Sequence, residues 1–218
     1  MEQPTLALAI PTINRADLLD DALRLYAHTW RGRHQFIVDN GQQNIETYSS
    51  WQTVIKSPKN LGVPASWNLL MKTLKTKGYT HVAILNDDIV WKRNADEIEE
   101  YIQLNPADFY QGLGTWCCFI MPVKTWEEVG QFDEGFACAY FEDNDMNIRM
   151  LRSKKKIKAD VFFNPEVYRN SQTIAKDGSL NKYFALNQKR YVDKWGGYPT
   201  QEKFETPWNG GEGYDIQW

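Results

Sequence analysis

The chain is poor in the residues that build metal and disulfide frameworks. Its 218 residues hold three cysteines and three histidines. Cys117, Cys118 and Cys138 are odd in number, and their spacing fits neither a disulfide scaffold nor a zinc site. Adjacent strand residues point to opposite faces, so Cys117 and Cys118 read as small core fillers, and a reducing compartment is the simpler setting. Long apolar runs are also missing. Leu6 to Ile10 is far too short for a signal or a membrane span, and no basic segment precedes it. A soluble, cytoplasmic protein is expected, one that reaches a membrane only through a partner. Charge of one sign is not in excess. A net charge of −3 and a pI near 5.7 argue against a partner held by bulk electrostatics, which makes nucleic acid a minority option. The one basic cluster, Arg152-Ser153-Lys154-Lys155-Lys156, reads as a solvated helix end. No Gly-x-Gly-x-x-Gly follows the first strand and no Walker loop occurs, which weakens dinucleotide redox chemistry and phosphate hydrolysis.

What is present is a core and many rings. Hydrophobic residues are 42% of the chain, enough for a substantial interior, and nine of the aromatics are Trp. Those rings serve either packing or the stacking of sugars, and composition does not separate the two. Leu6 to Ile10 reads as a buried strand, broken by Pro11-Thr12-Ile13-Asn14-Arg15. Asp17 to Trp30 carries Leu18, Leu19, Ala22, Leu23, Leu25 and Tyr26 at helical spacing. Phe36 to Val38 and Thr53 to Ile55 are further strands. A helix opens at Gly62-Val63-Pro64-Ala65 and runs to about Thr76, with proline in the turn that tolerates it. His81 to Leu85 is a fourth strand. This alternation implies an α/β fold with a mostly parallel sheet covered on both faces.

The second half is more mixed. Helices are expected over Ala95–Gln103, Lys124–Val129, Glu142–Arg152 and Leu180–Lys194, the last ended by Gly196-Gly197. Strands are expected over Thr115–Pro122 and Val161–Phe163. The tail from Tyr198 to Trp218 either wraps the body or frays. No repeat or clear linker divides the chain.

In parallel sheets ligands bind beyond the carboxyl ends of the strands. Three such ends read Pro11-Thr12-Ile13-Asn14-Arg15, Asp39-Asn40-Gly41 and Asn86-Asp87-Asp88. All are polar, and all would share one edge. Acids at a buried strand end are costly unless something positive meets them, such as a divalent cation on a diphosphate. The bland alternative is a polar turn with Asp88 as a helix cap.

Five segments carry a resemblance. They are Ile10-Pro11-Thr12-Ile13-Asn14-Arg15, Val38-Asp39-Asn40-Gly41, Asn60 to Asn68, Leu85-Asn86-Asp87-Asp88-Ile89, and Gly130 to Glu134 together with Phe141-Glu142-Asp143-Asn144-Asp145. In this order and spacing, over about residues 5–175, the chain resembles a small family 2 type glycosyltransferase of viral or bacterial kind, with the GT-A fold. Lys194-Trp195-Gly196-Gly197 is also similar to short relatives. The resemblance implies one Rossmann-like domain over 1–218. Its nucleotide-sugar half would cover about 1–90, its acceptor half about 91–197, and its tail 198–218.

It further implies a nucleoside-diphosphate sugar donor (UDP favoured), a divalent metal (Mn2+ or Mg2+) and inversion at the anomeric carbon. By match, Pro11, Thr12, Arg15 and Asp39 hold the nucleotide, with Asp39 on a base N–H and Arg15 facing phosphate. Asn60, Gly62 and Asn68 belong to the family's nucleotide-contacting loop and helix start. Asn86-Asp87-Asp88 matches the Asp-x-Asp metal motif, with Asn86 where Asp is usual. Asp88 is then the main metal ligand, Asn86 a second, and Asp87 closer to the ribose. The family's late metal-binding His is missing from Val167 to Thr173; the resemblance puts Tyr168 or Asn170 in its place and leaves Arg169 to offset leaving-group charge. His28, His34 and His81 read as scaffold. Asp143 matches the general base, flanked by Glu142 and Asp145. Helical spacing places Glu142 and Asp145 together and Asp143 apart. Trp116, Trp126, Tyr140 and Phe141 are acceptor-side candidates, the acceptor being a surface or glycoprotein glycan. Three other functions remain open: a silent nucleotide-sugar or glycan-binding module, a glycosyltransferase acting on modified DNA bases, and a sugar-1-phosphate nucleotidyltransferase.

Overall fold

The computed structural model describes residues 4–112, 116–162, 167–168, 172–176 and 178–211. The first half alternates as its apolar periodicity requires: β1 (Leu6–Thr12), α1 (Ala16–Thr29), β2 (Gln35–Asp39), β3 (Gln52–Lys56), α2 (Val63–Thr76) and β4 (His81–Leu85). The second half adds β5 (Ile89–Val90), α3 (Ala95–Leu104), β6 (Phe109–Gly112), β7 (Cys118–Pro122) and α4 (Val123–Val129). It continues with α5 (Glu142–Arg152), β8 (Ala159–Phe162), β9 (Val167–Tyr168), α6 (Gln172–Lys176) and α7 (Lys182–Trp195).

Among the described residues, seven strands form one mixed sheet in the order β3-β2-β1-β4-β7-β6-β8. The first four are parallel, β7 runs antiparallel to β4 and β6, and β8 is parallel to β6. The alternation of side chains along each strand divides the interior. Leu6, Leu8 and Ile10 of β1 join Ala83 and Leu85 of β4, under Leu19, Leu23 and Tyr26 of α1 and Ile98 of α3. Ala7 and Ala9 face the other way with Val82 and Ile84. That side is covered by Leu70, Met71 and Leu74 of α2, Trp126 of α4, and Met146 and Met150 of α5. Helices therefore cover both faces of the sheet, the expected α/β architecture.

Register decides where the site lies. Thr12 sits opposite Asp39, and Ala9 opposite Ile84, so β1, β2 and β4 end on the same edge of the sheet. The antiparallel β7 starts from that edge, with Cys118 opposite Leu85.

The strand expected from Thr115 begins at Cys118; Thr115 lies outside the described residues. The helix expected from Leu180 begins at Lys182, after a 3-10 turn over Gly178–Asn181. Strands β5, β6 and β9 and helix α6 are additions. The first three are two to four residues long, too short for a period to register in the sequence. Cys118 fills the core, whereas Cys117 is half-buried at the sheet edge, and neither pairs in a disulfide. The described part of the tail, to residue 211, packs on α7: the Lys203 and Phe204 amides each donate to the Trp195 carbonyl at 3.0 Å, and residues 212–218 lie outside the described residues. Among the described residues no helix is long and apolar enough to cross a membrane.

Candidate active site

The apolar run of β4 ends in Asn86, whose amide donates to the Cys117 carbonyl at 2.9 Å. The next two residues turn, and both acids are buried, Asp87 at 7% and Asp88 at 5% exposure. The Thr12 hydroxyl donates to Asp87 Oδ2 at 2.8 Å and the Thr173 hydroxyl to Oδ1 at 3.0 Å. The Gln172 amide donates to Asp88 Oδ2 at 3.1 Å. Burial pushes the Asp87 carboxyl up to about 6; the two threonine hydroxyls oppose the shift and the neighbouring Asp88 adds to it. Thr173 and Gln172 thus bring α6 onto the acid pair. They belong to the segment where the sequence lacks the late His. Tyr168 of that segment pairs through its backbone with Ile89, and Arg169 and Asn170 lie outside the described residues.

The facing wall is the start of α5. Glu142 is 6% exposed, and its Oε2 has no hydrogen-bond partner. Burial, then the adjacent Asp143, push its carboxyl up to about 8. Burial also pushes Asp143 up, against a bond from the Asn144 amide to its Oδ1 at 2.8 Å. Both line the cavity. Asp145 does not: it is fully buried against Arg149 Nε (2.8 Å), Lys194 Nζ (2.6 Å) and Trp195 Nε1 (2.9 Å). Burial alone would raise its carboxyl, but the Arg149 and Lys194 charges outweigh burial and hold it below the ordinary value. The helical-wheel grouping of Glu142 with Asp145 is therefore corrected. The first turn of α5 leaves a left-handed residue, Phe141 (φ 71°), and its first two acids both reach the cavity.

The cavity holds about 490 Å³. Pro11 and Thr12 at the end of β1, Asn60 and Gly62 before α2, and Asn86, Asp87 and Asp88 after β4 line its sheet-edge side. Trp116, Tyr140 and Phe141 line it with Glu142 and Asp143. Sequence reasoning named all of these. It missed Trp67, Phe184 and Thr173, which also line it. Trp126 packs in the core instead.

Three expected donor residues lie outside the lining. The Asp39 carboxylate is occupied by its own turn, accepting from the Gly41 amide (2.8 Å), the Gln43 amide (2.6 Å) and Gln43 Nε2 (3.1 Å). Arg15 is buried, with Nε and Nη2 on Asp17 at 3.0 and 3.2 Å. Asn68 braces the turn before α5: its Nδ2 donates to the Phe132 carbonyl at 2.9 Å and its Oδ1 accepts from the Phe132 amide at 2.9 Å.

No group of three or more His, Cys, Asp or Glu placed to hold a metal occurs among the described residues. Asn86, Asp87 and Asp88 offer oxygen donors only. That set fits a hard divalent cation completing its shell with phosphate or water.

No protein-family model matches the sequence, and no curated protein matches it by sequence. Solved structures match by fold. A mannosyltransferase from Pyrobaculum calidifontis, in complex with GDP-Man and Mn2+, superposes with a TM-score of 0.55 at 12% identity, over 85% of this chain and 64% of that one. S. aureus TarS (residues 1–349) gives 0.56 at 11% identity, over 84% and 65%. A longer TarS structure gives 0.53 at 11%, over 86% and 43%. The chain thus spans less than two thirds of the length of each. The likeness establishes the fold, a mixed and mostly parallel α/β sheet between helical layers that this chain shares with that mannosyltransferase and with TarS.

Proposed function

We propose that the chain is an inverting glycosyltransferase of family 2 type. It moves a sugar from a nucleoside-diphosphate donor, first a UDP-sugar, to an acceptor hydroxyl on a surface or glycoprotein glycan. The observation that carries this reading is the meeting of two acid pairs, the buried Asp87–Asp88 and the buried Glu142 with its half-buried neighbour Asp143, in one cavity at the carboxyl ends of the strands. The fold shared with the mannosyltransferase supports it. That structure holds GDP-Man, so GDP-sugars belong in the same screen.

Asp88 and Asn86 would hold Mn2+ or Mg2+, and the cation would screen the charge that builds on the departing diphosphate. Thr12 and Thr173 fix the Asp87 carboxylate beside them. Asp143 takes the proton of the acceptor hydroxyl as that oxygen bonds to the anomeric carbon. The diphosphate leaves from the opposite face with the bonding electron pair, and the centre inverts. Burial makes Asp143 a stronger base than a solvated carboxylate. Glu142, neutral at pH 7, adds no second negative charge beside it. Trp116, Tyr140 and Phe141, which line the cavity, would contact the acceptor.

Replacing Asp143 with Asn tests the assignment. Sugar transfer and slow donor hydrolysis should fall by about 10²–10⁴, while UDP binding by calorimetry is retained. Wild-type turnover in D143N would remove Asp143 as the base.

A further inference from the structure

The segment that delivers Glu142 and Asp143 to the cavity is strained. Cys138, Tyr140 and Phe141 have φ of 60°, 84° and 71°, a left-handed backbone that non-glycine residues rarely adopt. Such a shape persists only where its surroundings impose it. Two clamps do so. On one side is the start of α2, where the Val63 amide donates to the Cys138 carbonyl at 2.6 Å. Gly62 packs so closely there that an added Cβ would stand 2.9 Å from the Cys138 Cα. On the other side is Asn187, in the middle of α7 and fully buried. Its Oδ1 accepts from the Ala137 amide at 3.0 Å. Its Nδ2 faces the carbonyls of Ala137 (2.8 Å), Ala139 (2.7 Å) and Tyr140 (3.1 Å).

We infer that Asn187 is a positioning residue: it holds the loop from Ala137 to Phe141 in the shape that presents Glu142 and Asp143 to the cavity. It does not line the cavity itself. Only a carboxamide supplies an acceptor for the Ala137 amide and two donors for the carbonyls from one buried point. Asp would turn a negative oxygen toward three carbonyl oxygens, and Ser is too short to serve them all. The same face of α7 reinforces the loop through Phe184, whose ring lies 5.2 Å from Tyr140 and 5.3 Å from Phe141. Tyr191 packs 5.7 Å from Phe141.

The inference rests on the proposed transfer reaction for its kinetic readout alone. The experiment compares wild type, N187D and N187S by amide hydrogen exchange and by hydrolysis of UDP- and GDP-sugars. Exchange from Ala137 to Asn144 should accelerate about tenfold or more while β1, β2 and β4 keep their rates. The kcat for donor hydrolysis should fall about tenfold, with UDP affinity within about threefold of wild type. Unchanged loop exchange, or a rise spread evenly over the sheet, would overturn the inference. So would local loosening with wild-type kcat. If the wild-type chain neither binds nor hydrolyses any nucleotide sugar, the functional reading fails, and the exchange pattern still decides the role of Asn187. If both variants fail to fold, the wild-type Ala137 amide decides: protection supports the clamp, and free exchange removes it.

Discussion

Glu142 keeps one carboxyl oxygen buried without a hydrogen-bond partner, and its cost depends on pH. The folded chain holds its proton up to about 8, against an ordinary value of 4.5. Between those values the folded state carries a proton that the unfolded state has released, so stability falls as pH rises. Below the lower value the penalty is absent, and above the upper one it is complete. The slope from this group reaches at most ~1.4 kcal/mol per pH unit. E142Q has no such proton. The melting temperature of wild type should therefore drop relative to E142Q from pH 5 to pH 8. Parallel profiles would mean that Glu142 ionises normally. At this scale the sequence is informative about residue type and much less so about partners. Twelve expected site residues do line the cavity, because strand ends and helix starts are local features. The turn contacts of Asp39 with Gln43 and of Arg15 with Asp17 are not announced by residue type, since a short turn lets near neighbours reach a charge.

Helix α7 shows what periodicity misses. Its position and its stop at Gly196 are legible from the sequence. Its role is not, because Asn187 and Lys194 meet partners about fifty residues or more away. Lys194 is fully buried and bridges Asp133 Oδ2 at 2.9 Å and Asp145 Oδ1 at 2.6 Å. It thereby ties α7 to α5 and to the turn before it. Arg190 also holds Asp133, and Arg149 holds Asp145. Removing one member of such a network leaves buried charge poorly compensated. K194M should cost about 3 kcal/mol, the low end for a broken buried pair because both arginines remain. The urea midpoint reads it; a loss below about 1 kcal/mol would show that the network contributes little. The same distance rule explains β6, β8 and α6, whose places are set by strands and acids remote in the sequence.

The whole molecule joins a parallel half to an antiparallel half along β4 and β7, and the cavity takes walls from both. A ligand there contacts segments from Pro11 to Phe184, so its binding energy opposes global unfolding rather than the opening of one loop. Nucleoside diphosphate at a hundred times its dissociation constant would stabilise the chain by ~2.7 kcal/mol. For a chain of this size that raises the melting temperature by roughly 5–10 °C. UDP or GDP with Mn2+ should produce the shift. D88N should keep the metal-independent part and lose the increment that Mn2+ adds, because Asp88 is the charged member of the proposed ligand set. Inorganic diphosphate separates the terms further: its shift should depend on Mn2+ and Asp88, while the surplus given by UDP or GDP reports the nucleoside. A screen in which no nucleoside diphosphate moves the melting temperature, with or without metal, would place the donor elsewhere and end the functional reading. The fold would be untouched, since it rests on apolar strands buried under two helical layers and not on any ligand.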